Sequence, residues 1–390
     1  MIPFNKPFLT GNELRYIREA HAQGHLSGGG PFSDRCQEWL ERRLGCAKAL
    51  LTHSCTGALE MAAMLCDIGP GDEVILPSFT FVSTANAFVL RGAVPVFVDI
   101  RPDTFNLDEE RIEAAVTPRT KAIVPVHYGG TGCEMDVVLD VARRRDLTVI
   151  EDAAQGILSQ YKGRPLGSIG QLAALSFHET KNVIAGEGGG LLINDPRFIE
   201  RAEILWEKGT NRKKFFRGET DRYTWVDIGS SYLPSDINAA FLWAQLEAAD
   251  DITARRRAIW DRYHAAFIGL EEEGLARRPI VPGHCRSNAH MYHLLLSEAE
   301  MTAPFLERLR AKGINAVFHY VPLHSSPAGK KYGRAHGPMV ITDDISARIV
   351  RLPLWLGLED HLDHVIAVVI AELRDLGRSW ESSRGMHRSV

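Results

Sequence analysis

The chain has 390 residues, 45% of them hydrophobic and 24% charged, with 45 Lys and Arg against 49 Asp and Glu. That length and apolar content support a large buried core and more than one average domain. The net charge of −4 excludes a general nucleic-acid binder, which would be basic, and the longest apolar run, residues 365–371, is far short of a membrane span. Six cysteines, at 36, 46, 55, 66, 133 and 285, form no C-x-x-C pair, so reduced thiols and a cytoplasmic setting are expected. The N-terminus lacks a basic stretch followed by an apolar one, so no signal peptide is expected.

From about Cys46 to Ile193 short apolar strands alternate with amphipathic helices, which predicts a mostly parallel sheet with helices on both faces. Strands are predicted at 47–51, 73–76, 94–99, 121–126, 147–151, 172–177 and 190–193, and helices at 34–44, 58–67, 109–115, 135–145 and 197–207. A helical stretch over 235–270 leads into an α+β pattern from about Pro279, with strands at 291–296 and 316–319 and helices at 302–312, 343–350 and 359–376. The fold class is therefore α/β: a large domain over residues 1–250, a smaller α+β domain over 251–376, and a flexible tail over 377–390.

Lys181 follows the strand predicted at 172–177 and precedes Gly186-Glu187-Gly188-Gly189-Gly190. An amine here can attack a carbonyl if burial or a neighbouring cation lowers its pKa, the alternative being a solvated loop lysine. Asp152 closes the apolar run Leu147-Thr148-Val149-Ile150-Glu151-Asp152, while Thr52-His53-Ser54-Cys55-Thr56-Gly57 follows the first strand and opens a helix. Ser54 or Thr56 can cap that helix, and its free N–H groups suit a phosphate. Cradle, carboxylate and amine are the three handles that pyridoxal 5'-phosphate requires, for its phosphate, its ring nitrogen and its aldehyde. Ser54, Asp152, Ser176 and Lys181 all lie at or just past carboxyl ends of predicted strands, where open α/β sheets place ligands.

With these residues in place, the chain resembles the DegT/StrS family of fold-type-I aminotransferases, which make amino sugars from nucleotide-linked keto sugars. The likeness runs from Ile2 to about Leu376 and is carried by residues 77–87, Glu151-Asp152-Ala153-Ala154-Gln155, Ser176-Phe177-His178-Glu179-Thr180-Lys181 and His319-Tyr320-Val321-Pro322-Leu323-His324. The opening Met1-Ile2-Pro3-Phe4-Asn5, the segment Glu207-Lys208-Gly209-Thr210-Asn211-Arg212 and Ala289-His290-Met291 are most similar to the members that make dTDP-4-amino-4,6-dideoxygalactose. The resemblance implies transfer of an amino group from glutamate to the C4 ketone of dTDP-4-keto-6-deoxyglucose. Pyridoxal 5'-phosphate would be the cofactor and pyridoxamine 5'-phosphate its amine-carrying form.

It also implies roles for particular residues. Lys181 would move the proton, Asp152 would pair with the ring nitrogen, and Ser54, Cys55, Thr56 and Ser176 would hold the phosphate. Phe81 would stack on the ring and Gln155 would lie near its phenolic oxygen; a core aromatic and a plain loop glutamine are the other readings. His178, Arg212, Arg217, His319, Tyr320 and His324 would face the substrates, although His178 also suits a structural role and the basic run at 212–217 a solvated one. Family members carry G-x-N-x-R where this chain reads Gly229-Ser230-Ser231-Tyr232-Leu233, so Ser231 would make the cross-subunit phosphate contact of a homodimer with shared sites. No metal is expected, because His290, His293, His361 and His364 lack acid or thiol company.

Other readings remain. A different nucleotide-linked keto sugar is one, and a non-catalytic cofactor-binding regulator is another, though no basic helical appendage is present. The related sugar 3-dehydratases carry histidine where Lys181 stands. A nicotinamide-binding fold would need G-x-G-x-x-G after the first strand, which Ser54-Cys55-Thr56-Gly57 does not supply.

Overall fold

The computed structural model describes residues 1–387. Seven strands of the large sheet lie in the first half of the chain: β1 (Lys48–Thr52), β2 (Glu73–Pro77), β3 (Val94–Val98), β4 (Thr120–Ile123), β5 (Thr148–Asp152), β6 (Leu172–Ser176) and β7 (Gly189–Ile193). Later strands include β8 (Ala276–Arg277), β9 (Tyr292–Leu296), β10 (Arg334–Ala335) and β11 (Ile349–Leu352). The large sheet is ordered β1-β7-β6-β5-β4-β2-β3-β10, and β7 alone runs against the others.

The strands read as continuous apolar runs because both faces of the sheet are covered. Leu50, Val74, Leu76, Ile150, Leu172 and Leu191 pack into one cluster. Their neighbours point the other way: Leu51, Leu175 and Leu192 into a second cluster, and Ile75, Ile123 and Val149 into a third. Helices α1 (Glu13–Ala22), α2 (Pro31–Leu44), α3 (Cys55–Leu65) and α4 (Val82–Val89) come from the first 90 residues. α3 and α4 cover the first face and α2 the second. The predicted helices at 34–44, 58–67 and 135–145 correspond to α2, α3 and Met135–Arg145.

The C-terminal part builds a separate antiparallel sheet, β8-β9-β11, whose core is shared by the helices Ala249–Ala266, Thr302–Ala311 and Leu362–His387. Residue 250, where a division was expected, is the second residue of the helix Ala249–Ala266, which follows Asp236–Glu247 almost without a break. The chain crosses it twice more: Ile2 bridges Ile314, and β10 adds a parallel strand beside β3. Arg334 on β10 reaches the buried Glu73 carboxylate at 2.8 Å, which also accepts from Arg119 at 2.6 Å and Thr117 at 2.8 Å.

Three expectations are corrected. The helix predicted at 343–350 ends at Arg348, and the β-branched pair Ile349-Val350 opens β11 beside β9. Residues 316–319 form no strand; Val317 makes one isolated bridge to Arg351, and the chain then turns His319 and Tyr320 toward a cavity. The last helix continues through 377–387, where a tail was expected, and residues 388–390 lie outside the described residues. No helix among the described residues is long and apolar enough to cross a membrane.

Candidate active site

At the carboxyl ends of β5 and β6 lies a cavity of about 650 Å³. β6 and β7 are consecutive and antiparallel, so residues 177–188 form the loop between them. Phe177 donates to Gly188 at 2.8 Å, Glu179 to Gly186 at 2.8 Å and Ala185 to Phe177 at 2.7 Å, all through backbone groups. The glycine-rich stretch after Lys181 is thus the return limb of this loop, and Lys181 lines the cavity. Burial lowers the pKa of its ammonium; Cys55 and Asp152 oppose that shift and the Arg351 charge adds to it. More of this amine is therefore in the neutral form that can attack or accept a proton than for an exposed lysine.

The anion cradle forms as the sequence suggests. Ser54 is extended and its hydroxyl accepts from the Gly57 N–H at 3.1 Å, so it caps α3. Thr56 does not cap; its hydroxyl donates to Ser83 at 2.8 Å and ties α3 to α4. The first N–H groups of a helix have no partner within it, and Cys55 and Thr56, which carry them, both line the cavity. Gly189 permits this arrangement, since a β-carbon there would stand 2.3 Å from the Ser54 carbonyl carbon and 2.4 Å from the Cys55 nitrogen. Ser176 is its register partner on β6 and also faces the cavity.

Asp152 is buried at the end of β5. One carboxylate oxygen accepts from the Ala154 N–H at 3.1 Å, a local turn contact. The other accepts from the Thr84 hydroxyl at 2.6 Å, and Thr84 meets Thr80 at 2.7 Å. Two hydrogen bonds therefore hold the carboxylate beside the cavity it lines. Phe81 precedes α4 and keeps 58% of its surface exposed at the cavity wall, so it is not a core aromatic. Gln155 is fully engaged, accepting from the Gly129 N–H at 2.7 Å and donating to the Tyr320 hydroxyl at 3.1 Å. His178 sits at the rim, 2.9 Å from the Thr180 hydroxyl. His319 meets Tyr128 at 3.1 Å, and burial holds its imidazole well below the ordinary range.

Four expected site residues lie elsewhere. His324 contacts the Ser78 hydroxyl at 2.7 Å and fastens its loop to the end of β2. Arg212 donates to Glu207 at 2.7 Å, and Arg217 to Glu203 at 2.8 Å and to Glu219 at 2.7 Å. Lys214 is paired with Glu200 at 2.6 Å, so carboxylates already answer most of this basic run. Ser231 is exposed and bridges Glu207, away from the cavity of its own chain. Thr84, Arg256, His290 and Arg351 also line the cavity, although no sequence motif marked them for it. Arg256 is buried and donates to the Ala289, His290 and Leu354 carbonyls. Arg351 stands alone among Ile349, Val350 and Leu352, and a charge inside an apolar strand was the one visible signal.

The residues present suit pyridoxal phosphate: helix N–H groups at one end, a held carboxylate, an exposed aromatic face and a buried amine share one cavity. The profile of the DegT/DnrJ/EryC1/StrS aminotransferase family matches residues 7–370. The spore coat polysaccharide biosynthesis protein SpsC of Bacillus subtilis is 35% identical over 377 residues, covering 94% of this chain and 96% of that protein. Among solved structures, the aminotransferase TlmJ from Streptoalloteichus hindustanus superposes with a TM-score of 0.88 at 31% identity, covering 96% of this chain and 100% of that one. Spr1654 from Streptococcus pneumoniae in its PLP-form gives 0.88 at 27% identity, covering 96% and 99%.

Proposed function

Because the chain belongs to the DegT/DnrJ/EryC1/StrS aminotransferase family and is a pyridoxal-phosphate-dependent sugar aminotransferase, we propose that it moves an amino group from glutamate to the C4 ketone of dTDP-4-keto-6-deoxyglucose, giving dTDP-4-amino-4,6-dideoxygalactose. The observation that carries the chemistry is the meeting of Lys181, Asp152 and the start of α3 in one cavity. The choice of sugar rests on likeness: two of the three segments most similar to makers of that product, around Phe4-Asn5 and His290-Met291, line the same cavity.

In this reading the Cys55 and Thr56 N–H groups and the Ser176 hydroxyl hold the phosphate. Asp152, kept in place by Thr84, would pair with the ring nitrogen. Pyridoxal phosphate, when bound, supplies a ring that withdraws the electron pair left when a proton leaves the carbon bearing the amine. Lys181 takes that proton at Nζ and returns it to the neighbouring position, a task suited to an amine whose pKa burial has lowered. Phe81 covers one face of the ring and keeps water from it.

The site is shared between two copies of the chain. Phe216, Tyr223 and Trp225 expose 67%, 57% and 77% of their surface within one loop, next to Ser231. A second copy would cover these side chains and bring Ser231 and the 209–223 loop toward the neighbouring cradle. Incubation with the sugar nucleotide, glutamate and cofactor, followed by NMR of the product, tests the substrate; an unchanged sugar or an amine at another carbon would sink it. Light scattering tests the assembly, and a fully active monomer would refute the shared site.

A further inference from the structure

Arg351 is a cation in the cavity that no carboxylate among the described residues answers. It projects from the middle of β11, opposite His293 on β9, and lines the cavity with Phe4, His290, His319 and Tyr320. Among the described residues no carboxylate lies within ion-pairing distance of it, and its Nε is buried with no hydrogen-bond partner. The Phe4 ring lies 4.8 Å from the guanidinium carbon and covers one face. The neighbouring groups are neutral phenols, Tyr128 and Tyr320. The other arginine of the cavity, Arg256, spends its donors on three carbonyls. A guanidinium stays charged at neutral pH and offers a planar fork that fits a carboxylate. Burying it unpaired is costly, which is reasonable where a ligand completes it.

We propose that Arg351 is the anchor for the carboxylate of the amino-acid donor. The inference rests on the aminotransferase reading and adds the residue that recognises one substrate. Position decides among the anions this cavity must receive. The cofactor phosphate belongs at the start of α3. A sugar nucleotide carries its diphosphate across the hexose ring from a C4 ketone, so that charge lies far from the reacting carbon. A donor carboxylate is bonded to the carbon that bears the amine, so its partner must stand near the Lys181 amine. Arg351 and Lys181 line the same cavity, and the Arg351 charge helps to lower the lysine's pKa. With the donor bound, the carboxylate would offset this effect, so the lysine would become more basic as the substrate arrives.

The test uses the holoenzyme and glutarate, which has the carboxylates of the donor but no amine and cannot react. Calorimetric titration should show glutarate binding to the wild type and about 100-fold weaker binding to Arg351→Gln, the scale of removing one member of a buried charge pair. Arg351→Lys should recover part of the loss. Cofactor absorbance and circular dichroism should match the wild type, and the glutamate half-reaction should lose kcat/KM mainly through KM. Equal glutarate affinity in wild type and Arg351→Gln, or no binding to the wild type, overturns the assignment. Glutarate binding that depends on Arg351 in a protein that transfers no amine would instead support the anchor and overturn the proposed reaction.

Discussion

Replacing Gly189 with alanine tests the phosphate cradle without removing a polar atom. The added β-carbon would lie 2.3 Å from the Ser54 carbonyl carbon, and ordinary contact begins near 3.4 Å, so about 1.1 Å of movement is required. Both sides of the clash are backbone. β7 is paired along both edges, with β1 and β6, so the start of α3 must yield. Overpacking of this kind costs about 1–3 kcal/mol and should lower the melting temperature of the apoprotein by a few degrees. The same movement carries the Cys55 and Thr56 N–H groups about 1 Å from their places, beyond the range of good hydrogen bonds to a phosphate. Losing two charge-assisted bonds should weaken cofactor binding about 10- to 100-fold. Titration of apoprotein with pyridoxal phosphate, followed by absorbance, gives the Kd. A lowered melting temperature with an unchanged Kd would show that the phosphate sits elsewhere; no change in either would refute the packing argument itself.

Borohydride treatment of the wild type should fix the cofactor to the peptide containing Lys181, and Lys181→Ala should fold normally while losing about 10³-fold in turnover; a label on another lysine removes the central assignment. Asp152→Asn should slow the reaction roughly 10²- to 10³-fold with the cofactor still bound. Thr84→Val, which removes only the 2.6 Å bond to Asp152, should cost about tenfold, and a Thr84→Val enzyme as damaged as Asp152→Asn would point to misfolding. Burial, with Arg277 and Arg351 nearby, pushes the His293 imidazole down to about 3. The unfolded state then takes up the proton first as the pH falls below about 6.5, so this group's contribution is full above that value and lost below it. From pH 7 to pH 5 the wild type should lose about 2 kcal/mol through this residue, and urea melts of His293→Gln should show a correspondingly smaller loss.

The large sheet was legible because its strands are buried on both faces and so appear as unbroken apolar runs between turns. The positions of Lys181 and Asp152 followed from that, since Asp152 ends one such run and Lys181 lies in the loop after another. β11 was less legible: Arg351 interrupts its apolar pattern, and its register partner on β9, His293, lies 58 residues earlier (351 − 293). α4 was hidden by Val82, Ser83 and Thr84, which favour strands or caps by themselves, while packing of Ala85 and Phe88 against the sheet decides for a helix. The basic run at 212–217 was visible as charge, but its partners Glu200, Glu203 and Glu207 belong to the preceding helix and its end, and only the fold brings them across. Whether Arg351 has a partner is likewise a question of three dimensions.

The register of three strands has a consequence for how this chain tolerates changes in length. Thr52, Gly189 and Ser176 stand side by side in one row across β1, β7 and β6. That row sets the span from the cradle after Thr52 to the serine before the lysine loop at two strand spacings, roughly 10 Å. The ruler is made of backbone, so no side-chain substitution can restore it once it slips. Adding or deleting one residue in β7 would rotate its side chains to the opposite faces and slide the lysine loop relative to the helix start. The exposed turn near Gly218 has no such duty, and extra residues there would leave the row intact. Length variation among proteins built on this plan should therefore gather in outer loops, while the spacing from Ser176 to Gly189 stays constant.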